Sequence, residues 1–407
     1  MRLIFVDDEP LLLQGLQRSL RSMSGEWTME FVSSGAEALE RMAAVPFDVV
    51  VTDMRMPGMD GAQLLQEVQK RHPDTVRFVL SGQSSREAML RFIGRSHQFL
   101  SKPCDIKELK ERIAAAFLLR DLLGSSTVKE VISHLNSVPS LPALYDEIMA
   151  EMESPDPSSA RVGAIVSRDV AMAAKVLQLA NSALLGLRCQ ISNVPQAVLL
   201  IGMEMMRALV VSVHIFSHFE TDRLGELDLP QLWKHSLATA NAALAIARAE
   251  RAPKPVMEDS FTAGLLHDIG KLILAETMAE KYKDVVKRVR AEKVALIAAE
   301  RESFGCTHAE VGAYLVGIWG LPQAIVATAA WHHLPSSGGG RTFSPLTAVH
   351  AANVLIGASG FSHLPEQACL DGKHLEALNM ADREATWQRI CNDVIQGMLA
   401  KTEAKHE

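Results

Sequence analysis

The sequence has few cysteines, no excess of basic residues and no long uninterrupted hydrophobic run. Its five cysteines among 407 residues are far apart and form no Cys-x-x-Cys pair. This argues against a thiolate zinc site or a disulfide framework and fits a reducing compartment. With 41 basic and 48 acidic residues the net charge is −7, so the chain lacks the basic surface that is typical of DNA- or RNA-binding proteins.

The most apolar stretch of the chain, residues 194–216, is interrupted by Glu204, Arg207 and His214. These side chains are too costly for a membrane span, so the stretch predicts a buried helix instead. The N-terminus reaches the acidic pair Asp7 and Asp8 before the hydrophobic core of a signal peptide could form. We therefore expect a cytoplasmic protein without a membrane span.

The first 120 residues alternate short apolar runs with amphipathic segments. The apolar runs predict strands at residues 3–6, 28–32, 49–52, 76–80 and 98–100. Amphipathic segments such as 11–23 and 36–43 predict helices between them. This alternation predicts an α/β domain with a doubly wound parallel five-stranded sheet, whose sites form at the carboxyl ends of the strands.

A change of pattern after residue 120 indicates a second domain. Small residues at 124–126 end an amphipathic segment, and from Asn136 onward strand-like alternation gives way to long Ala-, Leu- and Met-rich segments. Such segments predict an all-α domain. We therefore place the domains at 1–120 and 136–400, joined by a helical linker at 121–135, and expect a flexible loop at 336–340.

Acidic residues follow two of the predicted strands. Asp7 and Asp8 follow the first strand and Asp53 follows the third, so the three carboxylates converge at one edge of the sheet. They repel one another unless a cation neutralises them, and hard oxygen ligands suit magnesium. An ionised carboxylate in such a place can act as a nucleophile toward a phosphoryl group.

Four segments resemble the response-regulator receiver family over about residues 1–120. They are residues 6–9 (VDDE), 52–61 (TDMRMPGMDG), 80–82 (LSG) and 99–103 (FLSKP). The resemblance implies that Asp53 is the phosphoacceptor and that a sensor histidine kinase is a partner. It also implies that magnesium is held by Asp7, Asp8, Asp53 and the backbone carbonyl of Arg55.

The same resemblance implies a switch that reads the phosphorylation state. Ser81 and Lys102 would contact the phosphoryl group, and Phe99 would be the aromatic switch residue. An aromatic residue on a short strand is also a common core residue, so Phe99 alone has two interpretations.

Histidines in the second half of the chain form a second group of candidates. The residues are His235, His267 with Asp268, His308, and His332 with His333. Neutral imidazole and carboxylate suit divalent transition metals, and helices far apart in sequence can deliver such ligands to one bundle interior. A carboxylate beside a histidine can also bridge two metal ions. Each histidine taken singly fits a buried structural residue as well.

These histidine segments resemble the HD phosphohydrolase superfamily and, from residue 139 to 335, its HDOD family. The resemblance rests on residues 139–142 (PSLP), 174–182 (AKVLQLANS), 198–202 (VLLIG), 263–271 (AGLLHDIGK), 308–314 (HAEVGAY) and 319–322 (WGLP). It implies an all-α HD-superfamily domain, of a family that consists mostly of regulatory modules. The sister HD-GYP family hydrolyses cyclic di-GMP.

Two departures from the superfamily pattern bear on catalysis. Asn353 stands where the late aspartate of the HD signature falls, and a neutral amide is a poorer metal ligand than a carboxylate. No Gly-Tyr-Pro triplet follows His333, which removes the HD-GYP signature.

Two functions remain in competition at this point. The first is a response regulator in which phosphorylation of Asp53 controls an HDOD output domain that acts through contacts with an unidentified signalling protein or as a homodimer. The second is a regulated, metal-dependent phosphohydrolase acting on a cyclic dinucleotide or nucleotide. We expect the first, without catalysis and without DNA binding.

Overall fold

The computed structural model describes most of both domains. The described residues are 1–72, 75–81, 98–102, 154–181, 190–203, 228–361 and 369–403, with single positions between 106 and 152 and at 206. Apart from Val128, the predicted linker lies outside them. Within these residues, no helix combines the length and the apolar character that crossing a membrane requires.

The N-terminal domain contains a parallel five-stranded sheet in the order β2-β1-β3-β4-β5. Its strands are β1 (Arg2–Val6), β2 (Thr28–Val32), β3 (Val49–Asp53), β4 (Val76–Ser81) and β5 (Gln98–Ser101). Its described helices are α1 (Pro10–Ser19), α2 (Gly35–Ala44) and α3 (Gly61–Arg71), with a 3-10 turn at Arg21–Met23. Every residue of β3 is buried, as expected for a central strand covered on both faces. The predicted α/β class is confirmed.

The strand register places the acidic residues side by side. Val6 at the end of β1 pairs with Thr52 of β3, so Asp7 and Asp53 leave the sheet at the same edge. Helix α3 begins directly beside Asp53. Its first residue, Gly61, lies so close that a side chain there would overlap the backbone carbonyl of Asp53. A glycine is therefore required for this close approach.

The second domain is all-helical in its described residues, as predicted. Its helices are α4 (Ser159–Val166), α5 (Val170–Ala180), α6 (Val194–Ile201), α7 (Leu229–Ala249), α8 (Lys254–Leu266), α9 (Ile269–Thr277), α10 (Ala279–Glu292), α11 (Leu296–Phe304), α12 (His308–Ile318), α13 (Gln323–Trp331), α14 (Pro345–Ala358), α15 (Gly372–Ala377) and α16 (Glu384–Glu403). Helices α7, α8 and α14 pack against one another at the centre. Gly264 permits the α7–α8 contact, since a Cβ there would lie 2.7 Å from Cα of Ala240.

The Ser- and Gly-rich segment at 336–340, which the sequence predicts to be a flexible loop, connects α13 and α14 and begins with a 3-10 turn at Pro335–Gly338. The backbone N–H of Ser336 donates to Oδ2 of Asp371, 2.9 Å away, and Gly338 packs against Leu346 and Trp331. These contacts connect the start of the segment to residues that are distant in sequence.

Candidate functional site

A small charged cluster lies at the carboxyl edge of the five-stranded sheet. Nζ of Lys102 lies 2.6 Å from Oδ2 of Asp7 and 2.5 Å from Oδ1 of Asp53. Burial alone would lower the pKa of Lys102, but the two carboxylates outweigh it and raise that pKa. The ammonium group therefore remains charged and joins the ends of β1, β3 and β5.

Backbone groups fix the two carboxylates. The N–H of Arg55 donates to Oδ2 of Asp53 at 2.8 Å, and the N–H of Glu9 donates to Oδ1 of Asp7 at 2.9 Å. Asp8 is exposed at the rim of the cluster. Asp7, Asp8 and Asp53 thus meet at one edge, where a hard cation and a phosphoryl group could be held.

The predicted switch residues are described only in part. Ser81 ends β4 and Phe99 lies in β5. The structure describes the backbone of these two residues but not their side chains. Their roles, like that of the Arg55 carbonyl, remain predictions.

The second site is a cluster of buried histidines around Asp268. His235 comes from α7, His267 and Asp268 join α8 to α9, His308 begins α12, and His332 and His333 follow α13. The structure brings together all six side chains that the sequence singled out. They fall into two sets of neighbouring ligand atoms that share Asp268: one with His308, His332 and His333, the other with His235 and His267.

The outer nitrogens of four of these imidazoles face hydrogen-bond acceptors. Nδ1 of His267 lies 2.7 Å from the carbonyl of Gly264, that of His332 lies 2.9 Å from Ala329, and that of His235 lies 3.1 Å from Phe361. Nδ1 of His308 lies 2.7 Å from Oε2 of Glu300. Because a carbonyl or carboxylate can only accept, Nδ1 carries the proton in each neutral ring. Each Nε2 is then unprotonated and carries a lone pair.

Those four lone pairs point toward one carboxylate. The Nε2 atoms of His267, His308, His332 and His235 lie 3.3, 3.4, 3.7 and 3.9 Å from an oxygen of Asp268. Nε2 of His267, Nε2 of His332 and Oδ1 of Asp268 are buried without a hydrogen-bond partner among the described residues. Acceptors that face one another without a proton need a cation between them, so these residues fit a divalent metal ion.

The protonation states suit metal ligation. Burial alone would raise the pKa of the Asp268 carboxyl, but His267, Lys271 and His308 together hold it well below its usual value. Burial, reinforced by His333 and His267, holds the pKa of His332 well below its usual value. The site therefore presents an ionised carboxylate and a neutral imidazole, the forms that bind metal.

The sequence analysis did not single out three residues that shape this cluster. Nζ of the fully buried Lys271 lies 2.7 Å from Oδ2 of Asp268, and Glu300 orients His308. Gly270 lets α9 cross α12 closely, because a side chain there would overlap the carbonyl of His308. The spacing from Asp268 to Lys271 was a readable signal, whereas no local pattern marks Glu300.

Asn353 and His350 also border the cluster. Oδ1 of Asn353 lies 2.8 Å from Nε2 of His235. An amide oxygen can only accept, and the proton of this ring is on Nδ1, so the two atoms are a further pair of facing acceptors. His350, which matches no motif, is buried; its Nδ1–H donates to the carbonyl of His332 at 2.7 Å, and its Nε2 accepts from the N–H of Asp371 at 2.9 Å. It is a structural residue that fixes the chain behind His332.

Comparisons with known proteins agree with this two-part architecture. The response regulator receiver domain model matches residues 3–114, and the HDOD domain model matches residues 138–335. The MmoQ response regulator from Methylococcus capsulatus str. Bath has a similar structure, with a TM-score of 0.50 and 24% identity. That likeness covers 63% of this chain and 98% of the other and concerns the fold alone.

Curated relatives match one part of the chain each. An uncharacterised protein of Treponema pallidum is 26% identical over 206 residues, which are 50% of this chain and 39% of that protein. The response regulator protein PilR of Pseudomonas aeruginosa is 34% identical over 119 residues, which are 29% of this chain and 26% of PilR. The chain thus spans well under half the length of either relative. The receiver domain model and the HDOD domain model match successive parts of the chain. The chain therefore belongs to the response regulators that carry an N-terminal receiver domain and a C-terminal HDOD domain.

Proposed function

We propose that this protein is a phosphorylation-controlled switch whose helical domain acts by binding. Asp53 accepts a phosphoryl group from a sensor histidine kinase, with magnesium held by Asp7, Asp8, Asp53 and the carbonyl of Arg55. The observation that carries this proposal is the charged cluster in which Lys102 bridges Asp7 and Asp53.

The chemistry at Asp53 follows from its neighbours. The carboxylate oxygen attacks the phosphorus atom, and the bond between phosphorus and the donor group breaks. Lys102, already charged between the two aspartates, moves to balance the added negative charge on the phosphoryl oxygens. The magnesium ion supplies charge neutralisation while it is bound.

The first experiment tests phosphorylation directly. The full chain is incubated with a radiolabelled small acyl phosphate and Mg²⁺, and label is counted for the unmodified protein and for Asp53→Asn. We expect label only in the unmodified protein, with Asp60→Asn, a helix-capping aspartate, as the control that labels normally. Label retained by Asp53→Asn would show that another residue accepts the phosphoryl group.

Features of the helical domain support the proposal that it acts by contacting another protein or a second copy of the chain. Asn353 removes one anionic ligand position, and Leu199 on α6 is 66% exposed, with Leu200 beside it at 36%. These two leucines leave apolar surface that a partner could cover. Solution scattering with and without a phosphoryl mimic should show a change in oligomeric mass or in shape, and identical profiles would count against this output.

A metal-dependent phosphohydrolase is the second candidate. The buried histidines with converging lone pairs favour it, since a bound transition metal supplies Lewis acidity and an acidified water. The test incubates metal-loaded protein with cyclic di-GMP, with His332→Ala as the control. We expect no turnover above that control in either phosphorylation state, and turnover abolished by His332→Ala would establish the hydrolase.

A further inference from the structure

We propose that a cavity between the helices of the second domain binds a small organic monocarboxylate with an apolar body. The cavity has a volume of about 350 Å³. This is near the lower end of the roughly 300–1,000 Å³ that small-molecule pockets enclose. Its lining residues belong neither to the charged cluster at Asp53 nor to the histidine cluster, so the proposal is independent of the function proposed above.

The cavity lies where two pairs of helices meet. The C-terminal end of α4 and the first turn of α6 form one side, and α7 and α8 form the other. Helices α4 and α6 are in close contact, since a Cβ at Gly163 would lie 2.7 Å from Cα of Pro195. Helices α7 and α8 are equally close at Gly264. The boundary between two such packed pairs is a common place for a ligand site in a helical domain.

The interior of the cavity is mainly apolar. Its apolar lining consists of Val194, Pro195, Leu244, Met257 and Phe261. Leu244, Met257 and Phe261 are only half-buried, so each keeps apolar surface in contact with water. Covering that surface with an apolar ligand is favourable.

Two hydroxyl groups in the lining have already used their protons. Oγ of Ser167 donates to the carbonyl of Gly163 at 2.7 Å, and Oγ1 of Thr262 donates to the carbonyl of Ser192. A hydroxyl has a single proton, so both oxygens face a ligand only as acceptors. An anionic group would find no donor there, and it must therefore lie at the mouth of the cavity.

The charged residues of the lining leave one net positive charge at the mouth. Nζ of Lys254 lies 3.8 Å from Oε1 of Glu258, so these two charges offset each other. Arg248, near the end of α7, is exposed and forms no ion pair or hydrogen bond with any residue that the structure describes. Asp259 does not line the cavity, and its side chain hydrogen-bonds to that of Ser192.

This charge defines the class of ligand. A guanidinium group binds a carboxylate through two parallel hydrogen bonds. One net positive charge matches a monocarboxylate, whereas a phosphate monoester would bring further negative charge close to Glu258. The ligand would lie with its apolar body against Met257 and Phe261 and with its carboxylate at Arg248.

Isothermal titration calorimetry of the full-length protein with octanoate tests the proposal. Octanol has the same carbon chain without the charge, and acetate has the charge without the apolar body. We expect saturable binding of one octanoate per chain, binding of octanol that is weaker by about 10-fold or more, and no detectable binding of acetate. Octanol that binds as tightly as octanoate would overturn the assignment of a carboxylate ligand.

Two substitutions at the mouth should act in opposite directions. Arg248→Gln removes the unpaired positive charge and should weaken octanoate binding by about 10-fold. Glu258→Gln removes a nearby negative charge and should strengthen it by about 2- to 5-fold. Arg341→Gln, at an exposed arginine outside the cavity, is the control and should leave the affinity unchanged. Equal affinities for all of these variants would overturn the placement of the carboxylate.

A third substitution fills the cavity. Leu244→Trp places a larger side chain in the interior and should abolish octanoate binding, while circular dichroism checks that the variant is folded. Octanoate binding that persists in folded Leu244→Trp, or no saturable binding by the unmodified protein, would overturn the site itself. If Leu244→Trp does not fold, the opposite effects of Arg248→Gln and Glu258→Gln still decide the question.

Discussion

Glu300 accepts two hydrogen bonds from His308: its Oε2 lies 2.7 Å from Nδ1 of the ring and 2.9 Å from the backbone N–H. Both side chains are completely buried. This pair fixes the ring so that Nε2 faces Asp268, and a carboxylate behind a histidine also increases the basicity of the ligand nitrogen.

Removing the charge of Glu300 should weaken metal binding without removing a ligand. We expect Glu300→Gln to reduce zinc affinity by about 10- to 100-fold, the usual effect of changing a group that orients a ligand. Affinity is measured by competition with a chelator. Glu302→Gln is the matched control, because Glu302 lies on the same helix and is 67% exposed; equal losses in both variants would contradict this role for Glu300.

Gly270 is required by the crossing of α9 and α12. An added methyl group would overlap the carbonyl of His308, so Gly270→Ala should push the helices apart and destabilise the protein by about 3 kcal/mol. Chemical denaturation measures the change. Gly357→Ala, in α14 with open space around its Cα, should instead be neutral or stabilise by about 0.5–1 kcal/mol. Similar stabilities for the two variants would refute the close approach.

Lys102 holds two carboxylates together in the receiver. We expect Lys102→Met to destabilise the protein by about 2 kcal/mol without Mg²⁺, less than the about 3–5 kcal/mol for a fully buried pair, because the side chain is 15% exposed. Adding Mg²⁺ should restore part of the loss. Lys70→Met is the control, since Lys70 is 62% exposed and its pair with Glu67 contributes little.

The sign of the pH dependence of Lys102 follows from its raised pKa. Its contribution is complete below the ordinary lysine pKa and is lost only as the pH rises through the raised one, in the alkaline range. Between pH 6 and 9 the difference between Lys102→Met and the unmodified protein should therefore stay constant, and a difference that disappears within this window would contradict the pairing.

Buried neutral histidines should make the helical domain acid-sensitive. Burial lowers the pKa of both His332 and His350. Below the ordinary histidine pKa of 6.5 the unfolded chain takes up protons that the folded chain does not, so stability is present above that pH and falls as the pH drops. Each such residue contributes at most about 1.4 kcal/mol per pH unit.

Unfolding of metal-free protein between pH 7 and pH 5 measures this slope. His350→Gln keeps a donor and an acceptor but cannot titrate, so it should show a shallower slope than the unmodified protein. An unchanged slope would mean that His350 does not contribute to the acid sensitivity.

The sequence by itself determined the fold class and the composition of both sites. Alternating apolar runs predicted all five strands to within one residue at either end, because strand burial is a local periodic property. Asp7, Asp53 and Lys102, and the six histidine-cluster residues, could be named because they stand in several motif segments that occur together, although each taken singly also fits a structural residue. At 336–340 the Ser- and Gly-rich composition predicted a loop, but it could not show the contacts with Asp371 and Leu346.

The tertiary structure alone decided how the histidine cluster is organised. The sequence could not show that Glu300 lies behind His308 or that Asn353 contacts His235, since neither contact has a local pattern. Nor could it show that Oδ2 of Asp268 is paired with Lys271 while Oδ1 has no hydrogen-bond partner among the described residues. Which atom of a carboxylate faces which neighbour depends on helix crossings such as that at Gly270, and crossings are set by packing between segments distant in sequence.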